Sequence, residues 1–132
     1  MKVDIMYEDS DILVCVKPYG IPVQGDKSRD TDLLTYLKNH IYEREHLDEE
    51  PYLAMIHRLD RPVGGVMVFA KNKKAAANLS DQVQDGTMVK FYQAVLTGEL
   101  PDDFGTLEDY LLKDGKTNTT RIVDKGTKGA KK

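Results

Sequence analysis

The sequence predicts one domain in which short strands alternate with helices. The chain has 132 residues, enough for one packed core and not for two. Its 40% hydrophobic and 31% charged residues are ordinary for a soluble protein and argue against collagen, coiled coil and disorder. Three apolar runs read as strands, and two segments with helical spacing lie between them, so the predicted order is strand, helix, strand, helix, strand.

The first half of the chain is predicted to contain a buried strand and a helix. Residues 11–17, DILVCVK, form a β-branched apolar run closed by a Pro-Tyr-Gly turn. Asp30 or Thr31 is expected to cap the helix, which ends near Glu45. Its apolar positions recur every four residues and are Leu33, Leu37 and Ile41.

The second half is predicted to contain two strands on either side of a helix. Residues 64–70, GGVMVFA, are a continuous apolar strand. Residues 73–84 read as a helix that Gly86 ends in the left-handed conformation. Residues 89–97, VKFYQAVLT, are rich in β-branched and aromatic residues and predict a third strand.

Composition narrows the possible locations and cofactors. No apolar run reaches the roughly 18 to 20 residues that span a bilayer, and the acidic start is unlike a signal peptide. We therefore expect a cytoplasmic protein with no membrane partner. The single cysteine, Cys15, is expected to be a small buried hydrophobe, which excludes an internal disulfide and a cysteine-based zinc site. The three histidines lack metal-ligand spacing with a carboxylate, so no metal is assigned.

Charge is distributed unevenly along the chain. The net charge of −3 argues weakly against nucleic-acid binding. Residues 113–132, however, hold seven basic and two acidic residues, and residues 57–94 hold six basic and three acidic ones. The separation is compatible with a positive face for a polyanion, whereas charge alone favours a solvated surface with a basic end.

The densest group of reactive side chains is the sequence HRLDRP at residues 57–62. A turn between two buried strands holds its side chains rigidly, so Asp60 is expected to project between Arg58 and Arg61. These guanidinium groups favour the ionised carboxylate, which suits a nucleophile or charge stabiliser better than a general acid. The glycine pair that follows would let a substrate backbone approach closely. A purely structural Arg-Asp ion pair is the equally weighted alternative.

Five segments together point to a known family. They are residues 7–14 (YEDSDILV), 16–20 (VKPYG), 57–60 (HRLD) with Gly65, 69–72 (FAKN) and 90–94 (KFYQA). In this order they resemble the RluA family of RNA pseudouridine synthases along nearly the whole chain. The resemblance implies an α+β fold with a mixed, largely antiparallel sheet, flanking helices and a catalytic cleft. It also implies isomerisation of uridine to pseudouridine in RNA, without a cofactor or metal.

The resemblance carries roles to individual residues. Asp60 matches the essential aspartate, which either attacks the base or sugar or assists glycosidic cleavage through a glycal-like intermediate. Tyr92 matches the active-site tyrosine, whose ring can stack on uracil, and the alternative is an ordinary strand aromatic. Arg58 matches the arginine that fills the gap left by a flipped nucleotide, or it acts as a phosphate clamp. The residues expected to contact RNA are Arg58, Arg61, Lys71 and Lys90.

Two departures from the family pattern bear on these expectations. Val63-Gly64 stands where the family commonly has Thr-Ser, a loss of two hydroxyls that we expect to be tolerated. The family's catalytic core also continues beyond the point that corresponds to Lys132, with an arginine-bearing motif that contacts the aspartate. We therefore expect a C-terminally truncated core over residues 1–112, followed by a basic, flexible segment over residues 113–132.

The sequence thus supports two hypotheses of different class. The first is an RNA pseudouridine synthase acting on rRNA or tRNA, with Asp60 as its catalytic carboxylate. The second is a catalytically incomplete RNA-binding fragment of such an enzyme. In that fragment the basic C-terminal segment would make salt-dependent phosphate contacts together with Arg58, Arg61, Lys73 and Lys74.

Overall fold

The computed structural model describes residues 2–25 and 30–132, and the chain divides into two units after Phe91. The elements of the first unit are β1 (Asp4–Glu8), β2 (Ile12–Lys17), α1 (Leu33–Glu45), β3 (Ala54–Met55), β4 (Gly65–Ala70) and α2 (Lys73–Gln84). The second unit contains β5 (Tyr110–Asp114) and β6 (Thr119–Val123). The predicted mixture of sheet and helix is therefore confirmed. Neither described helix is long and apolar enough to cross a membrane.

A four-stranded antiparallel sheet with the order β1-β2-β4-β3 forms the frame of the first unit. Strands β2 and β4 pair over their whole length, from Ile12 opposite Ala70 to Lys17 opposite Gly65. Both strands were predicted from their apolar runs. Strand β1 was not predicted, because its residues are mostly exposed and give no continuous apolar signal.

One face of this sheet carries the core. Leu13 and Cys15 on β2 lie opposite Phe69 and Met67 on β4, and all four side chains are fully buried. The predicted apolar row of α1 joins the same cluster. Burial of each large side chain contributes about 1.5–3 kcal/mol to folding. Burial also raises the pKa of the Cys15 thiol to about 11, which fits its predicted role as a small hydrophobe.

The start of α1 differs from the prediction by one or two residues. Asp32 is the N-cap, and its Oδ1 accepts a hydrogen bond from the Thr35 backbone N–H at 2.9 Å. The carboxylate of Asp30 is instead paired with Arg61, which leaves Asp32 to satisfy the helix terminus. Helix α2 has its predicted bounds, and Gly86 adopts the predicted positive φ of 77°.

Strand β4 runs from one end of the sheet to the other. Its six residues span about 20 Å at roughly 3.3 Å per residue. The connection from β3, residues 56–64, enters at one end, and Lys71 leaves at the other. Helix α2 contacts β4 and β3 and its 12 residues cover about 18 Å, so it returns the chain toward the first end.

The predicted third strand over residues 89–97 does not form. These residues have no β-pairing with any part of the chain that the structure describes, and Val95 is fully exposed. A strand needs a partner backbone for its hydrogen bonds. High β propensity is therefore not sufficient to form a strand here, because this segment pairs with no described strand.

The second unit is built on a β-hairpin. Strands β5 and β6 pair from Tyr110 opposite Val123 to Asp114 opposite Thr119. Leu111 exchanges two backbone hydrogen bonds with Lys131, at 2.7 and 2.8 Å. The boundary expected between residues 112 and 113 therefore falls inside β5. Residues 113–132 contain few apolar side chains, so composition alone separated them from the residues before them. Hydrogen bonds between strand backbones do not require apolar side chains, so composition could not reveal this pairing. The flexibility of residues 113–132 stays a prediction.

An ion-pair network joins β1, α1 and the end of β4. Arg44 binds both carboxylate oxygens of Glu8 at 2.6 and 2.7 Å, and Lys71 Nζ lies 2.6 Å from Glu8 Oε1. Glu45 is within 4 Å of both cations. The hydrogen bonds from Arg44, with a smaller contribution from Lys71, lower the pKa of Glu8 to about 2. The Glu8 carboxylate is therefore ionised at neutral pH.

Glu8→Gln is expected to lower the free energy of unfolding by about 1–3 kcal/mol at pH 7, because it removes the carboxylate that binds both Arg44 and Lys71 and leaves them only the more exposed Glu45. The folded pKa of Glu8 lies below its ordinary value of 4.5, so the stabilisation is complete above pH 4.5 and is lost as pH falls toward 2. Urea denaturation at pH 7 and pH 3 measures this difference. Glu50→Gln, in the more exposed pair with Lys38, is the control, and an equal loss from Glu8→Gln at both pH values would contradict the prediction.

Candidate active site

The HRLD loop, residues 57–64, connects β3 to β4 and presents the predicted catalytic carboxylate. Leu59 is buried in the core, whereas Arg58, Asp60 and Arg61 on either side of it are exposed. The Val63 backbone N–H donates to the Asp60 carbonyl at 2.9 Å, which closes a turn around the carboxylate-bearing residue. The loop is thus held by one buried side chain while its charged side chains face outward.

Lys17 fixes the HRLD loop from inside the protein. Its side chain is fully buried, and its Nζ donates to the carbonyls of Pro18, Arg61 and Val63 at 3.1, 3.2 and 2.7 Å. These bonds use all three ammonium hydrogens. Burial lowers the pKa of Lys17, and the negative charge of Asp60 opposes that shift. A buried positive charge therefore faces Asp60 and holds the loop that carries it.

The backbone of the HRLD loop also packs directly on the turn after β2. A Cβ on Gly64 would lie 3.3 Å from the Lys17 carbonyl oxygen and 3.5 Å from the Tyr19 nitrogen. The Gly20 N–H donates to the Arg61 carbonyl at 2.9 Å. The close approach that the sequence assigned to a substrate backbone is therefore made, at Gly64, by the protein's own chain.

His57 extends the pairing of β3 with β4. Its Nε2 lies 3.2 Å from the Val68 backbone nitrogen and accepts the hydrogen bond of that N–H group. Accepting this bond requires an unprotonated Nε2. Burial, together with the positive charge of Lys90, lowers the pKa of His57 and so favours the neutral ring. The first residue of the HRLD loop is therefore fixed to the central strand.

His57 is expected to titrate below its ordinary pKa of 6.5 in the folded protein. The stabilisation from its neutral form is then complete above pH 6.5 and decreases as pH falls from 6.5 toward the folded pKa. Ring NMR signals followed from pH 8 to 4 measure the titration. Lys90→Met removes one cause of the shift and should move the pKa of His57 upward. A pKa of 6.5 or above in the unmodified chain would refute this assignment.

The predicted RNA-binding residues fall into two groups. Arg58 is exposed on the HRLD loop and makes no ion pair with any residue that the structure describes. Lys90 is exposed, and its positive charge acts on the ring of His57, the first residue of the HRLD loop. Both cations are therefore near the loop and available to a phosphate.

Arg61 and Lys71 are engaged within the protein. Arg61 Nε donates to the Gly20 carbonyl at 3.0 Å, and its guanidinium pairs with Asp30. The Lys71 side chain is 15% exposed and is held by Glu8 about 20 Å along β4 from Gly64, the last residue of the HRLD loop. The structure thus gives both residues an intramolecular partner, and their RNA contacts stay predictions.

Tyr92 lies in the second unit, while Asp60 lies in the first. Its side chain is 66% exposed and makes no hydrogen bond to a described residue. The two predicted catalytic residues therefore belong to different units of the structure. Their joint role stays a prediction.

Sequence reasoning missed the positioning functions of Lys17 and His57. A signal was present for Lys17, since period-two alternation puts it on the same strand face as the buried Leu13 and Cys15. The ammonium group of a lysine at the end of such a row must either reach solvent or find hydrogen-bond acceptors inside the core. No local signal identifies the His57 contact, because its partner is a backbone N–H eleven residues away.

Comparison with known proteins finds relatives among the RNA pseudouridine synthases. A family model described as RNA pseudouridylate synthase matches residues 11–132. An uncharacterised RNA pseudouridine synthase of Helicobacter pylori is 30% identical over 132 residues, which cover 99% of this chain and 40% of that protein. The ribosomal large subunit pseudouridine synthase D of Neisseria meningitidis is 36% identical over 115 residues, which cover 86% of this chain and 30% of the relative.

A solved structure shares the fold. The human RNA pseudouridylate synthase domain containing 4 superimposes with a TM-score of 0.77 at 24% identity. The match covers 97% of this chain and 50% of the human chain. This chain therefore spans half of that structure, and 40% or less of the two curated relatives named above.

Proposed function

Because this chain belongs to the RluA-type family of RNA pseudouridine synthases, we propose that it supplies the Asp60-bearing part of an enzyme that isomerises uridine in RNA. The observation that carries the proposal is the presentation of Asp60. An exposed carboxylate stands on a loop whose backbone is held by two hydrogen bonds from the buried Lys17 ammonium, to the carbonyls of Arg61 and Val63. A reacting group requires a backbone that is held in place in this way, whereas a solvated surface turn does not.

The isomerisation defines what Asp60 has to do. The bond between C1′ and N1 of uridine breaks, the base turns, and a bond forms between C1′ and C5. The proton of C5 leaves and N1 gains one, so the reaction is balanced without an oxidant or reductant. Asp60 assists either by attacking the base or sugar or by promoting glycosidic cleavage through a glycal-like intermediate. Both routes use the ionised carboxylate.

The other predicted site residues are assigned to flip out the target nucleotide and to orient its base. The glycosidic carbon is out of reach in a stacked helix, so the nucleotide has to be flipped out. Arg58, exposed two residues before Asp60, is suited to fill the vacated space or to bind a phosphate. Tyr92 is assigned to stack on the uracil ring. Lys90 adds positive charge near the HRLD loop.

We assign rRNA or tRNA as the substrate class and the cytoplasm as the location. One relative named above, the Neisseria protein, is a ribosomal large subunit pseudouridine synthase, which supports rRNA first. The test incubates the purified chain with RNA from a strain that lacks an enzyme of this type. Carbodiimide-blocked primer extension then maps pseudouridine in both RNA classes. New stops establish the activity and identify the uridine.

The second candidate function is RNA binding without turnover. These 132 residues span 30–40% of the two curated relatives named above, so the test measures binding as well as turnover. In this case RNA is retained at low salt through the exposed cations and released as salt rises, with no new stops. Binding without turnover would therefore replace the first proposal with the second.

A further inference from the structure

Tyr19 is the most exposed of the seven tyrosines, and it lies in the turn that follows β2. Its side chain is 76% exposed, and its hydroxyl makes no hydrogen bond to any residue that the structure describes. A ring that is exposed to this extent buries little surface against the core of the first unit. Its contribution to folding is therefore small, and its role has to be sought at the surface.

The turn that carries Tyr19 is fixed to the HRLD loop on both sides of the ring. Before the ring, the Pro18 carbonyl accepts a hydrogen bond at 3.1 Å from Lys17 Nζ, the same ammonium that binds the loop. After the ring, the Gly20 N–H donates to the Arg61 carbonyl at 2.9 Å, and Arg61 Nε donates to the Gly20 carbonyl at 3.0 Å. The exposed ring therefore stands on an ordered backbone.

The same turn contacts the loop that presents Asp60. The backbone nitrogen of Tyr19 would lie 3.5 Å from a Cβ on Gly64, the last residue of that loop. Arg58, in the same loop, is an exposed cation. Single-stranded RNA is bound by this combination of groups, because cations bind the phosphates and aromatic rings stack on the bases.

We propose that Tyr19 is an RNA-binding residue that stacks on an unpaired base flanking the target uridine. The inference rests on the proposed function and adds to it a contact with a base that is not itself modified. Flipping the target nucleotide out of its helix unstacks the neighbouring bases. A ring on an ordered backbone restores stacking for one of them at a small cost in conformational entropy.

The test compares two nine-nucleotide RNA strands that differ only in their bases. One strand has a central uridine with adenosines on both sides. In the other strand every adenosine is replaced by an abasic nucleotide, so the phosphates and the uridine are unchanged. Fluorescence anisotropy of the labelled strands at low salt gives the dissociation constants. We expect the unmodified chain to bind the complete strand at least fivefold more tightly than the abasic strand.

Three variants assign this preference to the ring. Tyr19→Ala should weaken binding of the complete strand at least fivefold and of the abasic strand less than twofold. Tyr19→Phe keeps the ring and should change neither by more than twofold. Tyr52→Ala is the matched control, because Tyr52 is 44% exposed and precedes β3, which pairs with the end of β4 away from the HRLD loop. Circular dichroism verifies that the variants are folded.

The possible outcomes separate this inference from the proposed function. Tyr19→Ala that weakens both strands equally, or neither, would overturn the stacking proposal. An unmodified chain that binds the two strands equally, or binds neither, would also overturn it. New primer-extension stops alongside any of these results would leave the proposed function standing. The expected binding results without new stops would overturn the isomerisation and leave the stacking contact in place.

Discussion

Asp60→Asn is expected to reduce pseudouridine formation by at least about a thousandfold, as removal of a reacting group does in other enzymes. The amide keeps the shape of the side chain but cannot act as a nucleophile or as a base. Affinity for RNA should change less than threefold, because the proposed function assigns the phosphate contacts to cations such as Arg58 and Lys90. Single-turnover assays measure the first quantity and filter binding the second.

Asp81→Asn is the matched control for this prediction. Asp81 is an exposed carboxylate on α2, and its side chain has no hydrogen-bond partner among the described residues. Its loss should leave both turnover and binding within twofold. Unchanged turnover in Asp60→Asn would remove Asp60 from the reaction.

Lys17→Met should have the second-largest effect, on both stability and turnover. The thioether fills a similar volume but removes the buried donor that binds the carbonyls of Pro18, Arg61 and Val63. Loss of a buried charged donor of this kind costs about 2–4 kcal/mol of folding free energy. Because the HRLD loop loses its internal support, turnover should fall at least about a hundredfold at temperatures where the variant is folded.

Urea denaturation measures the loss of stability, and amide exchange at Leu59 and Val63 reports on the loop directly. Lys38→Met is the control, because Lys38 is paired with the exposed Glu50 on the protein surface and such pairs contribute little. A Lys17→Met protein with full turnover and unchanged exchange in the loop would show that the lysine does not position Asp60.

Local sequence was sufficient where the signal and the contact lie close together in the chain. The period-four apolar row predicted α1, and the helical spacing of residues 73–84 with Gly86 as terminator gave the bounds of α2 correctly. The continuous apolar runs predicted β2 and β4, since strands in the middle of a sheet are buried. The sequence did not show that Asp30 was already paired with Arg61, so the cap of α1 was placed too early.

Long-range pairing explains the errors. Strand β1 is stabilised by β2 in spite of its exposed residues, whereas residues 89–97 have excellent propensity and no partner. The RNA contact of Lys71, a basic residue in a motif, is not among these errors and stays a prediction. Only the fold shows that Glu8, 63 positions earlier, holds its ammonium at the opposite end of β4 from Asp60.

The sequence by itself determined the family and named Asp60, because both depend on residue types at short spacing within HRLD and the motifs around it. The tertiary structure alone decided how that carboxylate is held. Lys17 reaches carbonyls 44 and 46 positions away, and His57 accepts from a backbone group on a neighbouring strand. A hydrogen bond depends on distance and direction in space, which the fold creates and the order of residues does not display.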